Sequence, residues 1–198
     1  MHELHRQSAP AVVLRAGRTG VLGQAAGLEM QHLQPSAMVQ INGANDARQL
    51  HDALAALELT QAPAPRACIA AAQCRLLWNG PGRYLLVSDD QAPGELLASL
   101  TSAALRMAGL SCVDVSHANG VLRVQGPAAL EVMLKGCALD LERMQAGGCV
   151  PTAIGRFDVL LHCVGEEAFD LYVARSLAQS FAHWLLRAGA EFGVQVRA

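Results

Sequence analysis

Hydrophobic and polar positions along the first part of the chain predict a strand–helix–strand–strand–helix–strand order. Short apolar runs bounded by glycine, proline and asparagine are typical of strands, and leucines recurring at i, i+4 and i+7 indicate one face of a helix. The predicted elements are a strand over 38–41, a helix capped by Asn45 and carrying Leu50, Leu54 and Leu57, strands over 74–78 and 84–87 joined by a turn at 79–82, a helix beginning at Pro93, and a strand over 110–115.

The same order recurs in the second part of the chain. Ile41 aligns with Val124 and Tyr84 with Phe169, which gives a repeat offset of roughly 83 to 85 residues. The predicted elements are a strand over 121–124, a helix opened by Pro127, a long strand over 157–164, a turn at 165–168, a strand over 169–173, a helix with a capping box at Ser176 and Gln179, and a strand over 194–196.

This repeat predicts an α+β fold made of two tandem ferredoxin-like βαββαβ halves. The halves cover residues 37–117 and 118–198 and form one two-lobed, pseudo-symmetric domain, with the helices on one face of each sheet. Residues 1–36 show no sustained period, so we expect an irregular N-terminal arm with room for one strand.

The composition leaves two interpretations open. The chain has 198 residues, of which 52% are hydrophobic and only 16% are charged, whereas an ordinary globular chain has about 25% charged residues. Alanine accounts for part of this surplus, so one interpretation is an alanine-rich soluble protein. The other is a subunit with a buried interface.

Charge and patterning exclude several classes of partner. A formal charge of −2 provides no basic surface for nucleic acid, and aromatic residues make up only 4% of the chain. No apolar run reaches the roughly 18 residues of a membrane helix, and the N-terminus lacks the apolar core of a signal peptide. We therefore expect a cytoplasmic protein whose six dispersed cysteines are reduced, buried thiols.

No set of residues in the sequence forms a recognised catalytic motif. The chain lacks Cys-x-x-Cys, His-x-x-x-His, Gly-x-Ser-x-Gly and a phosphate-binding loop. His162 and Cys163 are adjacent, so they point to opposite faces of a strand and cannot share a metal ion. Asp114 lies in a predicted strand on the face opposite the valines, and we favour a structural anchor for it over a ligand group. We expect neither a metal site nor a catalytic residue.

Three segments together resemble the gamma subunit family of heterotetrameric sarcosine oxidases. The first is Leu-Trp-Asn-Gly-Pro-Gly-Arg-Tyr-Leu-Leu-Val at 77–87, and the second is Val-Asp-Val-Ser-His at 113–117. The third is Leu-Arg-Val-Gln-Gly-Pro at 122–127, followed by the Lys-Gly-Cys-Ala-Leu-Asp-Leu run at 135–141. The resemblance covers about residues 37–191 and weakens over the N-terminal arm.

The resemblance implies a fold and a setting for the protein. The fold is similar to the folate-binding domain of glycine-cleavage aminomethyltransferases, without their C-terminal barrel. Alpha, beta and delta subunits are implied as partners, and they are expected to hold FAD, FMN, NAD, zinc and tetrahydrofolate. Such a complex oxidises sarcosine to glycine, with formaldehyde and hydrogen peroxide as products. The gamma chain is implied to be structural, with no cofactor and no catalytic residue of its own.

Two hypotheses follow. The first is a non-catalytic assembly subunit, which predicts an exposed apolar patch on the isolated chain. The second is a stand-alone folate or small-ligand binding domain that uses the cleft between the halves, with Tyr84, Asp114 and Arg123 as polar contacts. A homodimer of the isolated chain would cover the same apolar surface. The sequence does not determine which N-methyl amine such a complex accepts.

Overall fold

A computed structural model gives the fold and describes residues 14–21, 25–43, 50, 54–59, 61–100 and 109–197. Within these residues the strands are β1 (Gly17–Thr19), β2 (Leu28–Leu33), β3 (Ala37–Asn42), β4 (Cys68–Ala70), β5 (Cys74–Trp78), β6 (Arg83–Ser88), β7 (Ser111–Asp114), β8 (Asn119–Gln125), β9 (Cys149–Ile154), β10 (Phe157–Gly165), β11 (Ala168–Ala174) and β12 (Val194–Arg197). The helices are α1 (Pro93–Leu100), α2 (Ala129–Leu134) and α3 (Arg175–Gly189), with short 3-10 helices at Ala55–Leu57, Leu141–Arg143 and Ala190–Phe192.

The first sheet has five strands in the order β4-β5-β6-β3-β7, and all neighbours are antiparallel. The four strands predicted for this region are confirmed. The predicted turn between β5 and β6 is confirmed too, since Asn79 N–H donates to the Arg83 carbonyl at 2.9 Å. Gly80 and Gly82 have φ values of 114° and 65°, which side chains disfavour. β4 was not predicted, because it is only three residues long.

The second sheet has seven strands in the order β1-β12-β2-β8-β11-β10-β9. β2 lies between β12 and β8, pairing parallel with the former and antiparallel with the latter. The expected arm had room for one strand, and the structure has two strands there, β1 and the interior strand β2. Leu28 and Met30 are fully buried there. The alternation that identifies this strand spans so few residues, between Gly27 and Pro35, that it gives little periodic signal.

The starts of α1, α2 and α3 agree with the sequence prediction to different degrees. α1 starts at Pro93 as predicted, whereas α2 starts two residues after Pro127, at Ala129. The predicted capping box of α3 is wrong: its N-cap is Ala174, and no side chain caps it. β11 runs directly into α3, and Arg175 N–H donates to the Ala118 carbonyl at 2.8 Å. A backbone carbonyl from another loop thus replaces the serine cap. The predicted Asn45 cap lies outside the described residues.

Three apolar clusters arrange these elements in four layers. One cluster lies between the seven-stranded sheet and helices α2 and α3, and a second lies between the five-stranded sheet and the helical residues 50, 54–57 and 96–100. The third joins the two sheets face to face, and includes Met38 and Leu85 from one and Val121 and Leu160 from the other. Each sheet therefore carries its helices on one face, as predicted, and packs against the other sheet with its opposite face.

Backbone hydrogen bonds also join the two sheets along one edge. Ala67 and Gly148 form an isolated antiparallel bridge between the ends of β4 and β9. Cys68 N–H donates to the Gly147 carbonyl at 2.7 Å, and Cys149 N–H donates to the Arg66 carbonyl at 2.8 Å. None of the described helices is long and apolar enough to cross a membrane.

Candidate functional site

A row of polar side chains crosses the seven-stranded sheet on the face that packs against the other sheet. His162 on β10 is opposite Asp170 on β11, and Asp170 is opposite Arg123 on β8. Side chains alternate along a strand, so these residues share a face with Leu160 and Tyr172 of the inter-sheet cluster. The row lies in the layer where a cleft between the halves was expected.

Arg123 and Asp170 form a bidentate ion pair within this row. Arg123 Nε and Nη2 donate to the two Asp170 carboxylate oxygens at 2.7 and 2.8 Å. The Asp170 side chain is 1% exposed and that of Arg123 is 34% exposed. The hydrogen bonds to Asp170 raise the pKa of Arg123 above its ordinary value. Both carboxylate oxygens are engaged, so this carboxylate is a structural partner rather than a free acid or base.

Arg75 reaches this layer from the five-stranded sheet. Its Nη1 donates to Asp89 Oδ2 at 2.7 Å, and its Nε donates to the hydroxyl of Tyr172 on the other sheet at 3.3 Å. Tyr172 is 3% exposed, and burial raises the pKa of its phenol. The Arg75 guanidinium therefore links the sheets and is itself paired on both sides.

His162 is the polar residue of this row with an unsatisfied atom. It is buried, and its Nδ1 has no hydrogen-bond partner among the described residues. Burial, reinforced by Arg75 and Arg123 and opposed by Asp170, lowers the pKa of its imidazole to about 4. His162 is therefore neutral at neutral pH. From the sequence, His162 was considered only as a metal ligand, because nothing local indicates that its strand is buried on both faces.

An open cleft of about 570 Å³ lies between the two sheets, beside the polar row. Its lining includes Asn79 and Arg83 from the first sheet and Thr152, Asp158 and Tyr172 from the second. Arg83 and Asp158 are exposed. Asn79 Nδ2 already donates to Gln40 Oε1 at 3.1 Å. The cleft thus offers one cation and one anion to a ligand, together with amide and hydroxyl groups.

The structure does not bring the three predicted contact residues together. Arg123 faces the inter-sheet layer, where Asp170 neutralises it. Tyr84 lies on the opposite face of its sheet, packed in the cluster under the helices, so it does not face the cleft. Asp114 is exposed on the edge strand β7, where its Oδ1 accepts hydrogen bonds from Ser116 N–H at 2.9 Å and Oγ–H at 2.6 Å. Asp114 thus anchors the following turn, as we favoured from the sequence.

The cysteines have the properties of packing residues. All six are free, and four of them are buried. Cys163 points into the helix-facing cluster, away from His162, as the strand alternation predicted. Burial raises the pKa of the thiols of Cys68, Cys74, Cys112, Cys149 and Cys163, that of Cys68 to about 11. These thiols are protonated at neutral pH and are therefore poor nucleophiles. No group of three or more potential metal ligands occurs among the described residues.

Large exposed hydrophobic side chains occur on several elements of the described chain. They are 40% to 51% exposed, and they are Val21, Val113, Leu134 and Leu177. Val113 lies on β7, whose outer edge pairs with no other described strand.

Comparison with known proteins establishes the family. The model of the sarcosine oxidase gamma subunit family matches residues 41–191, most of the chain. The chain belongs to this family. The match covers nearly the same residues as the resemblance found in the sequence, which is thereby confirmed.

Relatives in the sarcosine oxidase gamma family support this assignment over a shorter region. The gamma subunit of sarcosine oxidase from Corynebacterium sp. (strain U-96) is 32% identical over 119 residues, which cover 59% of this chain and 57% of the relative. That from Corynebacterium sp. (strain P-1) is 33% identical over the same shares. The matched part thus spans little more than half the length of these relatives.

Solved structures extend the similarity to nearly the whole chain. A chain of the heterotetrameric sarcosine oxidase from Corynebacterium sp. U-96, solved in complex with pyrrole 2-carboxylate, matches with a TM-score of 0.79 and 25% identity, covering 94% of this chain and 96% of that one. The glycine cleavage system aminomethyltransferase T from Bartonella henselae matches with a TM-score of 0.60 and 16% identity, covering 86% of this chain and 48% of that one. The second match shows a shared fold alone.

Proposed function

We propose that this chain is a non-catalytic assembly subunit of a heterotetrameric sarcosine oxidase. The observation that carries the proposal is the match to a chain of such a heterotetramer over 94% of this chain and 96% of that one. The complex would demethylate sarcosine oxidatively to glycine. Alpha, beta and delta subunits would be the partners, and FAD, FMN, NAD, zinc and tetrahydrofolate would be held by those partners. The free thiols suit a reducing compartment, and the proposal places the complex in the cytoplasm.

The chemistry of the described residues supports a role without catalysis. The inter-sheet charges are engaged: Asp170 by Arg123, and Arg75 by Asp89 and Tyr172. The thiols with shifted pKa values have become weaker acids rather than stronger ones. A general acid or base needs a pKa near the working pH, whereas His162 titrates near 4.

The same proposal divides the chain into two ferredoxin-like halves, 37–117 and 118–198. Starting from the bridged edge, the strand order is β4-β5-β6-β3-β7 in one sheet and β9-β10-β11-β8-β2-β12-β1 in the other. When β2 and the outermost strand β1 are left out, the two orders coincide. The strands β4, β5, β6, β3 and β7 then correspond to β9, β10, β11, β8 and β12. A ferredoxin-like half contributes four strands in this arrangement, and here each half carries one further strand at the bridged edge. β1 and β2, which precede residue 37, then complete the sheet of the second half.

Co-expression tests the assembly role. The tagged full-length chain would be produced with the proteins of its genomic neighbours, and the eluted species weighed by native mass spectrometry. We expect a stable assembly that contains a flavin-bearing partner. A lone monomer that binds tetrahydrofolate by calorimetry would overturn the proposal in favour of a ligand-binding domain using the cleft near Arg83 and Asp158.

A further inference from the structure

A groove lies on the outer face of the molecule, away from the inter-sheet layer. Four of its lining residues come from α3, namely Ser180, His183, Trp184 and Arg187. Their spacing of i, i+3, i+4 and i+7 places them on one helix face. Arg156 from the turn between β9 and β10 and Phe157 at the start of β10 also line the groove, which has a volume of about 520 Å³.

The groove is cationic without compensation. Arg156 and Arg187 are exposed, and no carboxylate of the described residues lines the groove. Neither Arg156 nor Arg187 belongs to an ion pair with another described residue, unlike Arg75, Arg123, Lys135, Arg143 and Arg197. Arg156 lies 5.6 Å from the centroid of the Phe157 ring, which is an aromatic rather than an acidic partner. The electrostatic complement of this surface is therefore an anion.

The floor of the groove is an aromatic surface held in place by its surroundings. Trp184 is half-buried and stacks on Phe181 with a centroid distance of 6.2 Å and an interplanar angle of 8°. The backbone also approaches the indole closely, since a Cβ added at Gly136 would lie 2.6 Å from the ring and one at Gly155 would lie 3.2 Å from Nε1. The indole is thus fixed before any partner binds, which lowers the entropic cost of binding.

We propose that this groove binds an acidic segment of a partner polypeptide. The helix rises about 10 Å over the seven steps from Ser180 to Arg187, which accommodates about three residues of extended chain. The two arginine forks suit bidentate binding of Asp or Glu carboxylates, and the indole suits an apolar side chain between them. An open groove fits a chain segment better than a small molecule, which binds preferentially in an enclosed cavity. The inference rests on the proposed assembly role, and it names the surface of this chain that contacts a partner.

Binding by the isolated full-length chain tests the groove directly. The probe is the hexapeptide acetyl-Glu-Asp-Phe-Glu-Asp-Glu-amide, and the readout is the indole N–H signal of Trp184 in NMR spectra. We expect a saturable shift, and we expect the double variant R156Q/R187Q to weaken binding by about tenfold or more, since it removes two charge-assisted contacts. The matched control R15Q/R143Q removes the same net charge at two exposed arginines outside the groove and should bind like the wild type.

Several outcomes would overturn the inference. One is equal binding by the two double variants, and another is equal binding of a peptide in which every acid is replaced by its amide. A third is saturation of the same Trp184 signal by inorganic phosphate at equal concentration, which would indicate a general anion site. A homodimer whose interface protects the Trp184 signal would assign the groove to a second copy of the chain.

The co-expressed complex then separates this inference from the assembly role. If the wild type and R15Q/R143Q assemble while R156Q/R187Q releases its partner at lower concentration, both proposals are supported. If all three assemble equally, the assembly role stands and the groove inference fails. If none assembles, the assembly role fails, and the peptide titration still decides whether the groove binds an acidic segment.

Discussion

The Asp170–Arg123 ion pair joins a buried carboxylate to a guanidinium that is about one-third exposed. Removing the carboxylate therefore leaves a partly solvated cation, whereas removing the guanidinium would leave a buried anion. In Asp170→Asn the Arg123 cation stays in the inter-sheet layer without its counter-charge. Loss of a buried partner costs about 3–5 kcal/mol, and the solvent contact of Arg123 reduces this to roughly 2–3 kcal/mol. Chemical denaturation measures the free energy of unfolding. The control is Arg143→Gln, whose pairing with Asp140 is exposed and should contribute less than about 1 kcal/mol. Equal losses in the two variants would contradict a structural role for the Asp170 pair.

His162 makes stability depend on pH in a defined window. Its folded pKa is about 4, and its ordinary value is 6.5. Between these values the unfolded chain binds a proton that the folded chain does not, so stability falls as pH decreases from 6.5 to 4 and this residue contributes no further loss below 4. The difference between the two pKa values corresponds to a loss of about 3 kcal/mol in the free energy of unfolding over this range.

The His162 contribution is isolated by comparing slopes. We expect His162→Gln to give a flatter dependence of unfolding free energy on pH between 6.5 and 4 than the wild type. His117→Gln, which makes the same replacement at an exposed histidine, is the matched control. Because carboxylates titrate in the same range, the difference between variants is the relevant quantity. An unchanged slope in His162→Gln would mean that the buried imidazole titrates normally.

Among the structural elements, the ones predicted from the sequence are those with a long or well-bounded apolar run. β5, β6, β10 and β11 lie close to their predicted bounds because each is bordered by turn residues. β9 was missed, since Pro151 argues against a strand, yet β9 is the edge strand where proline is tolerated. The faces of the strands were harder to predict. Tyr-Leu-Leu-Val at 84–87 is buried on both sides, so no polar residue indicates which side faces the cleft.

β2 provides a prediction at the scale of an element. Met30 is fully buried in the cluster under α2 and α3, although it precedes both predicted halves. We expect Met30→Ala to lower the free energy of unfolding by about 2–4 kcal/mol, as for other buried truncations. Gln34→Ala, exposed just after β2, should change it by less than about 0.5 kcal/mol. If Met30→Ala lowered the free energy of unfolding as little as Gln34→Ala does, residues 28–33 would belong to an irregular arm rather than to the core.

At the scale of the whole molecule, the family was predictable from three segments, whereas the binding surface was not. The segments at 77–87, 113–117 and 122–141 combine turn geometry with strand ends, so they are specific even without tertiary information. The groove combines one face of α3 with a turn about 30 residues earlier. Helical spacing alone does not indicate that Arg156 faces Trp184, and this juxtaposition exists only in the folded chain.

The two sheets should unfold as one unit because several interactions cross between them. β2 joins the second sheet before the chain enters the first, Ala67 bridges to Gly148, and Arg75 donates to Tyr172. We expect Leu76→Ala, buried on the helix side of the five-stranded sheet, to remove about 2–4 kcal/mol. Amides of β8 and β11 in the other sheet should then exchange roughly 30- to 700-fold faster, like those of β6.

Hydrogen exchange measured residue by residue distinguishes this from two independent halves. If the sheets were independent, Leu76→Ala would accelerate exchange in β3, β5 and β6 and leave β8 and β11 at wild-type rates. Val113→Ala, at a half-exposed position on the edge strand β7, is the matched control and should leave both sheets unchanged. Cooperative unfolding would give the groove on α3 the stability of the entire molecule, so that a partner meets a surface that is already formed.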